Sequence, residues 1–114
     1  MDEVRWPGEW LRGVLSLCVL AVVAEGETYG YAVAQRLQAA GLGVIKGGTL
    51  YPVLARLEED GLLTSVWREG DAGPGRKYFA VTADGRSELA RRAADWATFT
   101  ERAAGLLDNE GARR

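Results

Sequence analysis

Residues 47–63 read GGTLYPVLARLEEDGLL. Leu50, Leu54 and Leu57 recur at four- and three-residue spacing, with Val53 beside them, which predicts an amphipathic helix with one buried stripe. The spacing starts this helix between Gly47 and Leu50 and ends it at Asp60. Gly61 follows as the stop, and Leu62 and Leu63 return the chain to the core. With Thr49 as N-cap, Pro52 falls at the third helical position, where its missing amide proton has no helical partner. The charges are polarised. Lys46, Thr49, Tyr51 and Arg56 bring cations and hydrogen-bonding groups to the first part, and Glu58, Glu59 and Asp60 gather at the end. A helix built this way can point its N-terminal end at a polyanion while its acidic end stays in water, as a helix entering a DNA groove must.

The whole chain carries the opposite bias. Its 114 residues are enough for one domain with a modest core. They hold 14 Lys and Arg against 16 Asp and Glu, a formal net charge of -2. Global charge therefore argues against nucleic acid, and only a local basic patch can override it. There is no histidine, which removes the commonest general base, the commonest metal ligand and any Ser-His or Cys-His nucleophile. Cys18 has no partner for an intrachain disulfide, so it reads as a small buried hydrophobe in a reducing compartment. The apolar run from Val14 to Ala24 is interrupted by Ser16 and falls short of the ~20 residues of a membrane span. Asp2 and Glu3 spoil the basic start of a signal peptide. The expected location is cytoplasmic, without a membrane partner.

Upstream of the polarised helix, MDEVRWPGEW reads as an arm broken at Pro7-Gly8, with Trp6 and Trp10 packing on the body or on a second subunit. A first helix is predicted over Trp10 to Glu25, apolar nearly all round and therefore central, with Gly26 as its stop. A second is predicted over Thr28 to Ala40, capped by Thr28, with Val33 and Leu37 inward and Tyr31 in the core; Gly41 and Gly43 end it. Downstream, Leu63 to Arg68 and Arg76 to Val81 read as two strands of a hairpin around a long loop, Gly70 to Gly75. Thr82 caps a last helix running to about Asn109, and the final GARR frays. The stripe of that helix includes Leu89, Ala93, Trp96, Phe99 or Thr100, Ala103, Leu106 and Leu107. A single helix after a hairpin has little of its own domain to pack on, so the stripe points to a second subunit.

The fold class is mainly α with a small β-hairpin: a winged helix-turn-helix, residues 1–82 with the arm, followed by a long dimerisation helix and tail, 83–114. At this level the chain resembles a known family. LRGVLSLCVLAVVAEGETYGYAVAQRL looks like the opening of PadR-type transcriptional regulators, with Gly30-Tyr31 starting the second helix. GGTLYPVLARLEEDGLL resembles their third-helix signature, including Leu50-Tyr51-Pro52, and GRKYFAVTADGRSEL their wing and its exit through Thr82, Gly85 and Arg86. The match spans about Leu11 to Leu107 and is similar to the short subfamily with one C-terminal helix. Phe79 departs from it, standing where tyrosine is more usual. The resemblance implies a homodimeric, ligand-responsive repressor that reads inverted-repeat operators, with half-sites about one helical turn, ~34 Å, apart.

Each candidate residue has a plainer alternative. Thr49 can cap its helix, contact phosphate or a base, or do both. Tyr51 either packs under the wing or donates its hydroxyl to DNA. Arg56 either reaches DNA or pairs with Asp60, four residues on. Lys46 is placed for a phosphate contact, and Tyr29 at the start of the second helix for another. Arg76 and Lys77, beside a glycine-rich tip, are the strongest pair for a wing lying along a groove. Trp96 either packs a dimer core or does what the resemblance implies for some short-subfamily members, where the pair from two subunits flanks a cavity for flat aromatic ligands. Phe99, Ala93 and Trp10 can line the same space. No catalytic residue, metal site or cofactor is expected: GDAGPG is glycine-rich but lies in a hairpin, so it is not a nucleotide fingerprint. The expected partners are double-stranded DNA, a second copy of the chain and a small aromatic or hydrophobic effector. The alternative is a winged-helix protein-interaction module without direct DNA binding, supported by the sequence pI of about 5.2.

Overall fold

The computed structural model describes residues 5–70 and 73–112, with side chains up to residue 108. Four helices and three strands follow in the order α1 (Gly8–Ala24), β1 (Thr28–Tyr29), α2 (Gly30–Ala39), α3 (Gly47–Glu59), β2 (Leu63–Gly70), β3 (Gly73–Val81) and α4 (Ala83–Ala112). This is a winged helix-turn-helix with a long C-terminal helix. The core forms around α1, which touches α2, α3, α4 and β3. Its Val19 and Leu20 are fully buried and meet Val33 and Leu37 from α2 and Leu50, Leu54 and Leu57 from α3. Each such leucine contributes roughly 1.5–3 kcal/mol by leaving water. Leu63 and Phe79 close the core from the sheet.

Helices α2 and α3 end the same way. Gly61 adopts φ 79° after α3, its amide donates to the Glu58 carbonyl (3.0 Å), and the Leu62 amide donates to the Leu57 carbonyl (2.9 Å). That pattern satisfies two orphan carbonyls and drives Leu62 into the core. Gly41 and Leu42 repeat it after α2.

Several boundaries differ from the sequence expectation. α1 begins at Gly8 rather than Trp10, because Pro7 supplies the extended residue before it and its carbonyl accepts the Trp10 and Leu11 amides. Thr28 does not cap α2. It forms β1 with Tyr29, pairing Thr28 with Phe79 and Tyr29 with Tyr78, so the wing is a three-stranded antiparallel sheet of order β1-β3-β2 rather than a two-stranded hairpin. Tyr29, extended and paired in the ladder, is the residue from which α2 starts, so Thr28 lies one position too early to cap it. Tyr31 lies 65% exposed instead of in the core, since α2 buries the face of Gly30, Val33 and Leu37. Thr49 does not cap α3: Lys46 is the extended N-cap residue, and the Thr49 and Leu50 amides both donate to its carbonyl at 2.9 Å. Pro52 is therefore the sixth helical residue, and the Gly48 carbonyl lacks its usual donor. The expected loop from Gly70 to Gly75 is shorter, because the β2–β3 ladder continues to a Gly70–Gly73 pair past an irregularity after Arg68. The expected tip residues between that pair, the first four residues of the arm, and Arg113 and Arg114 of the tail lie outside the described residues. α4 runs on to Ala112, beyond the expected Asn109.

The sheet joins α4 through one tight junction. The Thr82 hydroxyl donates to the Gly61 carbonyl (2.7 Å) and accepts from the Gly85 amide (2.9 Å), which is the cap expected of Thr82. The Thr82 amide donates to the Leu62 carbonyl (3.0 Å). That same carbonyl oxygen would lie 2.1 Å from a Cβ at position 85. Gly85→Ala is therefore expected to destabilise the fold by about 2–3 kcal/mol, although alanine is the better helix former by about 1 kcal/mol. Gly13→Ala, where nothing lies within 4 Å of the added carbon, is expected to be neutral or stabilising. Urea denaturation of the two variants checks this, and equal midpoints would contradict the junction's role.

Candidate nucleic-acid interface

Burial of the leucine stripe fixes which sides of α3 remain outside. Opposite the stripe lies a crest of exposed Gly48, Pro52, Ala55 and Glu59. Three of these four are small or compact and bring no donor, so the backbone there can approach a surface closely. Thr49 and Arg56, seven residues apart, share one flank of the crest; Tyr51 and Glu58 share the other. No side chain caps the start of α3, which leaves its first amides open to an outside acceptor. Arg56 is exposed and does not pair with Asp60: among the described residues it forms no ion pair, and neither do Lys46 and Arg76.

The Tyr51–Glu58 flank faces the wing. Tyr51 packs its ring over the start of α2 so closely that a Cβ on Gly30 would lie 2.4 Å from its hydroxyl oxygen. The ring packs against α2 rather than under the wing and is still 52% exposed. In the last turn of α3, the Glu58 carboxylate accepts from the Ser65 hydroxyl (2.5 Å) and pairs with the Lys77 ammonium (3.3 Å). Lys77 also lies 5.6 Å from the centre of the Phe79 ring. This ties both wing strands to α3, and it commits Lys77 to an internal partner.

The other face of the sheet carries a stacked ladder. The Arg76 guanidinium lies 4.5 Å over the Tyr29 ring, Tyr29 meets Tyr78 edge-on at 5.3 Å, and Arg68 lies 5.1 Å over Tyr78. Arg68 is in turn held by both carboxylate oxygens of Glu27. Each exposed cation–π contact is worth about 0.5–1 kcal/mol. Arg76 is thus oriented by an aromatic ring and keeps its charge free, while Tyr29 supports it from below.

A second region lies at the other end of α1. Trp6 donates its indole N–H to the Gly41 carbonyl (2.8 Å) and packs on Trp10 at 6.3 Å, so the arm folds back on the body. With Leu42, Trp96, Phe99, Thr100 and Ala103, these tryptophans line an open cavity of about 550 Å³. Trp96 and Phe99 stand 5.6 Å apart. The structure gathers Trp10, Trp96 and Phe99 here; Ala93 lies one turn earlier on α4, outside the lining. The sequence reading missed Glu9, the one ionisable residue of the lining, and Leu42, which the turn after α2 delivers.

Comparison with known proteins places this architecture. The model of the transcriptional regulator PadR-like family matches residues 19–91, from the middle of α1 through the wing into α4. The chain belongs to the PadR-like family of transcriptional regulators. A transcriptional regulator of Mycobacterium tuberculosis is 41% identical over 81 residues, 71% of this chain and 74% of the relative. Among solved structures, a PadR family transcriptional regulator from Eggerthella lenta superposes with a TM-score of 0.79 at 37% identity, covering 88% of this chain and 87% of that one. A PadR-like transcriptional regulator from Bacillus cereus gives 0.76 at 29% identity, covering 87% and 96%. No helix among the described residues is long and apolar enough to cross a membrane, and no cluster of metal-ligating side chains occurs among them.

The Glu58 node has a pH signature. The Ser65 hydroxyl, and after it the Lys77 ammonium, hold the Glu58 carboxyl below the usual carboxylate range. A depressed acid contributes stability that is present above its ordinary pKa, ~4.3, and disappears as the pH falls through the lower folded value. Glu58→Gln is therefore expected to be less stable than the parent at neutral pH, with the gap narrowing as the pH falls below about 4. Chemical denaturation of both proteins at neutral and acidic pH measures it. A gap independent of pH would show that the wing does not depend on this carboxylate.

Proposed function

We propose that this PadR-family regulator is a ligand-responsive repressor that acts as a homodimer on an inverted-repeat operator. The observation that carries the reading is the exposed, donor-poor crest of α3, flanked by Lys46 at its N-cap, Arg56 on the helix and Arg76 on the wing, none with an ion pair among the described residues. A compact crest suits close approach to a groove, and flanking cations suit phosphates on either side. Thr49, Tyr51 and Arg56 are the α3 side chains within reach of base edges; Lys46, Arg76 and Tyr29 hold or support the backbone contacts. Lys77 belongs to this set chiefly through its hold on α3.

Homodimerisation is supported by α4. Phe99, Leu106 and Leu107 lie 62–74% exposed along its second half. The Cα radius of gyration is 16.5 Å, against about 13 Å for a compact chain of 100 residues. A second α4 covering these residues would give two reading heads related by a two-fold axis, as a palindromic operator requires.

DNA binding is tested by selecting random duplexes against the protein and measuring affinity against salt for the most enriched one. A palindromic consensus and salt-sensitive binding are expected. Arg76→Ala should lower the slope of log K against log salt by about 0.9 for each phosphate that Arg76 neutralises. Lys77→Ala should lower stability more than slope. Absence of any shift at low salt would favour the protein-interaction reading instead.

Effector sensing is supported by the tryptophan-lined cavity. Its walls are apolar and aromatic apart from the Thr100 hydroxyl and the Glu9 carboxylate, so a planar hydrophobic cation fits it better than an anion. Such an effector would act by favouring one arrangement of the two heads. A planar aromatic cation is expected to quench tryptophan fluorescence on binding. Trp96→Ala should weaken its binding by roughly tenfold or more, the usual effect of removing a central aromatic anchor. Unchanged affinity in that variant removes Trp96 from the site.

A further inference from the structure

Where the start of α2 and Tyr51 of α3 meet the wing lies a cleft of about 310 Å³, walled by Tyr29, Tyr31, Tyr51, Trp67, Arg76 and Lys77 from both faces of the sheet. Its composition departs from that of the chain. The protein has more acids than bases, yet this lining contains two cations, three phenols, an indole and no carboxylate. Trp67 is 71% exposed in a strand whose inward neighbours are buried or paired. Register puts it on the sheet face it shares with Ser65, Lys77 and Phe79, the face turned towards α3. Trp67 and Tyr51 both line the cleft. Nothing in the fold requires an indole there: its cross-strand partner Lys77 is held by Glu58, and no ring stacks on it among the described residues.

We propose that Trp67 is a DNA-backbone contact, seated against the deoxyribose of the strand that crosses between the reading helix and the wing. The inference rests on the DNA-binding reading above and adds a residue to it. If α3 enters one groove and the wing reaches the next, the sugar–phosphate strand separating the grooves must run through this cleft. Phosphates carry charge on both sides of that strand, and the sugars between them are its apolar part. The cleft offers the matching alternation. Arg76 and the Tyr51 hydroxyl face phosphate oxygens, and the flat faces of Trp67 and Tyr31 cover sugar. Charge complementarity supports this occupant: a wall with cations and no carboxylate suits a polyanion, and the aromatic faces between the charges suit its sugars. A sugar contact holds register and affinity without reading a base.

The test uses full-length protein, the duplex enriched by selection, and a scrambled duplex of the same length. Trp67→Ala is expected to weaken binding to both duplexes by the same factor, roughly tenfold. The salt slope should stay at the wild-type value, because every phosphate keeps its cation; Arg76→Ala, by contrast, changes the slope. Trp67→Phe should recover most of the affinity. The side chain is exposed, so the denaturation midpoint of Trp67→Ala should match wild type, which separates weaker DNA binding from unfolding. Wild-type affinity in Trp67→Ala overturns the proposal while leaving DNA binding intact. A weakening confined to the enriched duplex, or a reduced slope, also overturns it, by making Trp67 a base or phosphate contact. If the wild-type protein binds neither duplex, the underlying DNA-binding reading fails instead.

Discussion

The burial of α1 is the constraint on which the rest of this structure depends. With Val19 and Leu20 sealed from water, α1 gives one side to α2, another to α3 and a third to the sheet and the first turns of α4. The leucines of α3 must face it, and that choice alone decides that Gly48, Pro52 and Ala55 look outward. A chain of this size has no second core to offer. The later turns of α4 therefore leave the body with their apolar side chains uncovered, and the cavity beneath them has tryptophan walls but an open side. The outward crest and the uncovered helix are two results of a single packing decision.

Charge is distributed by pairing rather than by patches of excess. Glu88 takes both Arg91 and Arg92, Glu25 takes Arg36, Glu27 takes Arg68 and Glu58 takes Lys77. These exposed pairs contribute little stability individually. Their larger effect is subtraction: Lys77 is occupied by Glu58, while Lys46, Arg56 and Arg76 form no ion pair among the described residues. A net charge of -2 is compatible with a locally positive reading head for this reason.

Much of the fold is legible in the sequence because periodicity and punctuation agree. The leucine spacing of α3, the glycines after α2 and α3, and Thr82 before α4 each signal the same boundary in more than one way. The failures share a cause as well. Thr28 and Thr49 both read as caps because threonine favours caps locally. Tertiary pairing instead recruits Thr28 to a strand, and the Pro7 and Lys46 backbones serve as helix entries without any side-chain cap. Tyr31 reads as a core residue because it is large; its neighbour Gly30 is the residue that burial requires, since the Tyr51 ring occupies that space. Nor does the sequence show that Lys77 points at α3 while Arg76 lies on a tyrosine. Adjacent residues in a strand face opposite ways, and the register that decides which goes where is set by Leu63, Phe79 and the core.

The ionisable groups that the fold perturbs have a common direction. Burial pushes the Cys18 thiol up, and hydrogen bonds pull the Glu58 and Glu88 carboxyls down, so each moves away from neutrality. With no histidine in the chain, no side chain has an ordinary pKa between about 5 and 8. The chain therefore lacks the imidazole by which proteins most often sense acidity over that interval. Ions and organic solutes, rather than a histidine switch, are then the variables to which its electrostatics can respond.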